Sequence, residues 1–183
     1  MSLKFYNTLT RKLEPFEPIE QGHVRVYTCG PTIYDFPHIG NYRTFLFEDI
    51  LRRTLQLFGF RVTQVMNLTD VDDRTIQRST EAGIPLREYT DRYAEAFFED
   101  LRKLRIQPAE HYPRATDYIP QMVELVQRLE KIGHTYRSDG SIYYRIGSFP
   151  SYGKLSGVRP EANLVGARVD ADDYEKEDAR DFV

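Results

Sequence analysis

The chain has 183 residues, 40% of them apolar and 13% aromatic, enough for one large domain core or one and a half smaller ones. A mean hydropathy of −0.56 with no apolar run of bilayer length excludes a membrane-spanning helix, and the opening MSLKFYNTLT has none of the apolar core of a secretory leader. A net charge of −3 does not mark a nucleic-acid binder, and a single cysteine excludes an internal disulfide, in keeping with a cytoplasmic protein.

In chain order, VRVYTCG (24–30) predicts a short strand, with Val24, Val26 and Thr28 alternating with Arg25 and Tyr27 until Gly30-Pro31 stops it. NYRTFLFEDILRRTLQLF (41–58) places Phe45, Phe47, Ile50, Leu51, Leu55 and Phe58 at mostly helical spacing, with Gly59 as the stop. RVTQVMNLTDV (61–71) is β-branched and apolar enough for a second strand. Strand, turn, helix and strand in that order make a βαβ unit with a parallel pair.

LREYTDRYAEAFFEDLRKL (86–104) predicts an amphipathic helix on Leu86, Tyr89, Tyr93, Phe97, Leu101 and Leu104. DYIPQMVELVQRLEKIG (117–133) repeats the pattern on Ile119, Met122, Val123, Val126, Leu129 and Ile132, with Pro120 in its first turn and Gly133 at its end. HTYRSDGSIYYRI (134–146) predicts a hairpin about Asp139-Gly140, and SFPSYGKLSG (148–157) an irregular loop. This change of texture divides the chain into 1–115 and 116–183. DADDYEKEDARD (170–181) carries seven acids against two bases and reads as a solvated surface loop.

The chemistry concentrates in YTCGPTIYDFPHIGN (27–41). In an open α/β sheet, ligands bind beyond the carboxyl ends of the strands, where a helix N-terminus points partial positive charge outward. That end contributes only about 0.3–1 kcal/mol toward an anion, so a nucleotide needs further donors. His38 and Asn41, one turn apart, can both face a phosphate, and Gly40 lets a flat base approach the backbone. The phosphate-loop and dinucleotide fingerprints are absent. On spacing alone, His-x-Gly-Asn equally describes a histidine capping a helix. Cys29 alone equally describes a small apolar residue, since a zinc site needs three more ligands. In DVDD, Asp70 or Asp72 is expected to cap a helix beginning near Arg74, with the other acids solvated. Arg43, Arg52 and Arg53 can meet RNA phosphate or simply solvate a helix surface.

Taken together, YTCGPTIYDFPHIGNYRTF (27–45) closely resembles the N-terminal signature of cysteinyl-tRNA synthetases. FYNTLTRKLEPF (5–16), NLTDVDDRTIQRS (67–79), PRATDYIPQMVELVQRL (113–129), SFPSYGKLSG (148–157) and ARDFV (179–183) extend the resemblance over essentially the whole chain. The resemblance implies a Rossmann-type parallel sheet, its N-terminal half here, followed by part of the inserted connective-peptide region. It implies that Cys29 is a ligand of a Zn²⁺ that takes the substrate thiolate. It also implies that Pro31, Thr32, His38, Gly40 and Asn41 bind ATP, with His38 and Asn41 catalytic, and that Gly30 and Thr69 meet the amino acid. Asn41 stands where the family's signature usually has a histidine. L-cysteine, ATP with Mg²⁺ and tRNA(Cys) are the implied substrates and partners of a cytoplasmic monomer. The family's second ATP signature, the other zinc ligands and the anticodon-reading region are expected beyond Val183, so this chain alone is expected to be inactive. A cysteine ligase of mycothiol synthesis, a non-catalytic half-domain acting as a binding module, and a generic nucleotidyltransferase are the alternatives.

Overall fold

A computed structural model describes residues 3–157, 177–178 and 181–183. The acidic run expected over 170–181 therefore lies largely outside the described residues. Two compact units divide the chain: Glu17–Ile119 is one, and Met1–Phe16 with Pro120–Val183 is the other. The sequence instead groups 1–115 and 116–183.

The split unit opens with an antiparallel hairpin, β1 (Lys4–Asn7) and β2 (Lys12–Pro15), pairing Lys4 with Pro15 and Asn7 with Lys12. No strand is predicted for this stretch from the sequence.

The continuous unit carries the parallel pair. β3 (His23–Thr28) runs in register with β4 (Arg61–Met66), from His23 opposite Arg61 to Thr28 opposite Met66. The crossover between them is α1 (Ile39–Leu57), and α2 (Asp73–Ala82) and α3 (Leu86–Lys103) follow β4. Beyond α3, the segment 110–115 runs alongside β4 in parallel fashion, with bridges Val65–His111 and Leu68–Arg114. Met66 N donates to His111 O at 3.0 Å and Leu68 N to Pro113 O at 2.8 Å. The core joins Ile33, Tyr42, Phe45, Met66, Leu68, Ala94, Phe97, Leu101 and Ile106, and the rings of Phe45 and Phe97 meet edge to face at 5.2 Å.

The helix periods hold, but α1 buries only part of its predicted apolar set, Phe45 and Leu55. Phe47, Ile50 and Phe58 are exposed, whereas Glu48, Asp49 and Arg52 are buried. Two of these buried charges are tied down: Arg52 pairs with Glu110 and donates to Pro108 O at 2.6 Å, and Asp49 accepts from Gln107 N at 2.9 Å. Arg52 is thus an internal tie rather than an RNA contact, while Arg43 lies exposed.

Later in the split unit, α4 (Ile119–Lys131) precedes the hairpin β5 (Thr135–Ser138) and β6 (Ser141–Tyr144). The hairpin turns at the predicted Asp139-Gly140, both with positive φ, 44° and 77°. The apolar stripe of α4 is present, yet no residue of that helix is buried.

Candidate active site

β3 and β4 are parallel, so their carboxyl ends lie at one edge of the sheet, and the loops leaving them are stitched together there. Gly30 N donates to Asn67 Oδ1 at 3.0 Å. Thr69 N donates to Pro31 O and Ile33 N donates to Thr69 O, each at 3.0 Å, and Thr32 forms a parallel bridge with Thr69. Gly30, Pro31, Thr32 and Thr69, all expected to meet substrate, therefore share one small surface. A β-carbon on Gly30 would overlap the Asn67 carbonyl oxygen, so glycine is required by close approach rather than by an unusual φ.

The remaining predicted residues form the start of α1. His38 is its N-cap, in extended conformation, and its Nδ1 accepts from Gly40 N at 3.0 Å. Asn41 Oδ1 accepts from His38 N at 3.0 Å, closing a capping box. Because Nδ1 accepts, a neutral His38 carries its proton on Nε2, which leaves a ring donor directed away from the helix. His38, Gly40 and Asn41 are all exposed, and no acid occupies the first turn of α1. A β-carbon on Gly40 would sit 2.8 Å from His38 Cε1, so the smallest residue lets the imidazole lie over the helix end.

Cys29 follows β3 directly and is exposed, with its Sγ making a long 3.7 Å contact to Gly30 O. Among the described residues, no group of three or more His, Cys, Asp or Glu side chains is arranged to hold a metal ion.

The acids of DVDD separate into different roles. Asp72 caps α2, with Oδ1 accepting from Thr75 N at 2.7 Å while Thr75 Oγ1 accepts from Asp72 N at 2.7 Å. Of the two cap candidates it is Asp72 that caps, and Asp70 is instead 0% exposed. Its oxygens accept from Thr116 N at 2.9 Å and Thr116 Oγ1 at 2.6 Å, with Arg87 and Arg114 at 3.8 and 4.0 Å. Glu48, under the end of β3 and bonded to Thr28, is pushed up to about 7 chiefly by burial, which the hydrogen bond from Thr28 opposes.

Two contributors escape the sequence reading. Asn67 joins both loops; the predicted strand over 61–71 ran past it, whereas β4 ends at Met66 and places Asn67 in the loop beyond the strand. Tyr89 donates to Tyr34 O at 2.9 Å and so ties the Pro31–Pro37 turn to α3; nothing in its helical spacing distinguishes it from a core residue.

A parallel βαβ unit with a ligand-ready edge is a Rossmann-type arrangement, and the fold is that of class I aminoacyl-tRNA synthetases. A Mycobacterium tuberculosis methionyl-tRNA synthetase, solved in complex with methionyl-adenylate, superposes with a TM-score of 0.60 at 16% identity, over 70% of this chain and 33% of that one. In sequence, residues 15–183 match the family described as tRNA synthetases class I (C) catalytic domain, and the chain belongs to that family. It is 55% identical over 99% of its length to a cysteine–tRNA ligase of Protochlamydia amoebophila, and 53% identical over 100% to one of Solibacter usitatus. It spans 38% and 39% of those two proteins. No helix among the described residues is long and apolar enough to cross a membrane.

Proposed function

We propose that this chain supplies the ATP- and amino-acid-binding edge of a cysteine–tRNA ligase, which joins L-cysteine to ATP as cysteinyl-adenylate and passes the acyl group to tRNA(Cys). The observation that carries the reading is the pairing, at one sheet edge, of the stitched Gly30–Thr69 surface with a helix start whose caps carry no carboxylate and are exposed. His38 Nε2–H, the remaining amide donors of Asn41 and the positive end of α1 suit a polyphosphate brought with Mg²⁺. Pro31 and Thr32 would flank the nucleotide, while Gly30 and Thr69 would hold the amino acid so that its carboxylate meets the α-phosphate in line. That carboxylate is already ionised, so the step needs no general base, and the rate comes from positioning and from donors aimed at phosphate charge.

Zn²⁺, when bound, supplies a soft acceptor for thiolate and so discriminates against serine, a pair that pocket shape alone separates by roughly 10–200-fold. The exposed Cys29 thiol fits as one ligand. The described residues do not complete a donor set around it. The expected result is that the full-length protein catalyses cysteine-dependent pyrophosphate exchange, that serine does not replace cysteine, and that Cys29→Ser raises the KM for cysteine far more than that for ATP. Exchange driven equally by serine, or by neither amino acid, overturns the reading. The isolated chain is expected to show no exchange and to bind no stoichiometric zinc, which metal analysis of the purified chain checks.

A further inference from the structure

The Asn67 side chain bonds to both halves of the amino-acid surface, and the logic of its bonds is directional. A backbone N–H can only donate, so the Asn67 atom facing Gly30 N at 3.0 Å must be the carboxamide oxygen. The other end of the same amide is then Nδ2, 3.1 Å from Thr69 Oγ1, and it too can only donate. Thr69 Oγ1 therefore receives a hydrogen bond, and its own proton is not consumed by Asn67. Among the described residues that hydroxyl makes no other hydrogen bond. It keeps one proton and one lone pair, a combination matched to the carboxylate and ammonium of a zwitterionic α-amino acid. Neither partner can drift: Thr69 is bonded through both its N–H and its C=O to the Pro31–Ile33 segment, and Gly30 abuts the Asn67 carbonyl.

We propose that Asn67 is a positioning residue for the amino-acid substrate, fixing the polarity of the Thr69 hydroxyl and the placement of Gly30 through one doubly engaged carboxamide. This rests on the reading of that surface as the cysteine site. Asn67→Asp separates the effect from folding. An aspartate still accepts from Gly30 N, but it cannot donate to Thr69, so the Thr69 proton turns toward it and is lost to the substrate.

The test is pyrophosphate exchange by the full-length enzyme, with cysteine and ATP varied separately and the thermal midpoint of each variant recorded. Asn67→Asp should raise the KM for cysteine about 10- to 100-fold, the range expected for one hydrogen bond to a charged ligand, and leave that for ATP within about twofold. The effect should be absent in a Thr69→Val background, because both changes remove the same donor. Cysteine KM unchanged in Asn67→Asp, an equal rise for ATP, or full additivity with Thr69→Val would each overturn the proposal. Thr69→Val alone and Asn67→Ser give the same readout should the aspartate variant fold poorly. Absence of cysteine-dependent exchange in the unmodified enzyme would remove the cysteine-site reading itself, a result distinguishable from failure of the variants alone.

Discussion

Two chain crossings leave the same edge of the same parallel pair, and each enters a helix through a capping box, yet their electrostatics are opposite. The crossing after β3 ends in His38 and Asn41, both uncharged when the imidazole is neutral, with no acid in the first turn of α1. The crossing after β4 ends in Asp72, with Asp73 in the first turn of α2, and buries Asp70 just before it. Carboxylates at a helix start satisfy its free N–H groups and offset its dipole, so α2 is electrostatically complete in itself. α1 satisfies the same N–H groups with neutral atoms and leaves its positive end for an outside anion. The difference teaches that one crossing completes its helix start with charge of its own, whereas the other, proposed above to hold a ligand, does not.

The comparison can be broken first at the structural crossing. Asp70→Ala removes a buried acceptor of two hydrogen bonds and leaves the Thr116 N–H and hydroxyl unpaired, while Arg114 keeps Asp91 at 2.6 Å. It should cost about 3–5 kcal/mol, the loss of two buried hydrogen bonds, read from the urea midpoint of the chain.

A smaller effect belongs to Glu48, beneath the binding crossing. Its folded pKa is raised from 4.5 to about 7, so folding favours the protonated acid. The stability tied to that proton is present below about 4.5 and is lost as pH rises through about 7, amounting to about 3 kcal/mol at most. Glu48→Gln should therefore raise the melting temperature relative to the parent at pH 8, leave it nearly unchanged at pH 4.5, and flatten the profile between.

Asp72→Ala should cost about 1 kcal/mol, a typical N-cap loss, in the same urea titration. His38→Asp should shift stability least, within about 0.5 kcal/mol, since aspartate caps well. In the full-length enzyme it should still raise the KM for ATP about tenfold by putting a negative charge where the phosphates are expected. Unchanged ATP dependence would mean that the two helix starts do not differ in function.

Much of this was legible in the sequence wherever it depended on local pattern. The β3–α1–β4 order, the helix of α3 and the Asp139-Gly140 hairpin follow from periodicity and turn chemistry. What pattern cannot state is which face of a helix finds a neighbour. α1 carries apolar residues on more than one side, and the face toward the core is chosen by Glu110, Gln107 and Pro108, far along the chain. Asp70 read as an alternative helix cap because its partner, Thr116, lies 46 residues away. α4 has the right stripe, but a stripe records only what can be buried. In the candidate site, the residues of the β3–α1 turn were legible because they sit together in sequence, whereas Asn67 gains its role only when two loops meet.

The stitch through Thr69 also governs how this edge can move. Its N–H is held by Pro31 and its C=O by Ile33, and the neighbouring Leu68 is bonded to Pro113. Neither loop can lift without breaking the bonds of the other, so the floor of the site opens as one cooperative unit rather than as a flap. In hydrogen exchange the amides of Ile33 and Thr69 should share a single protection factor.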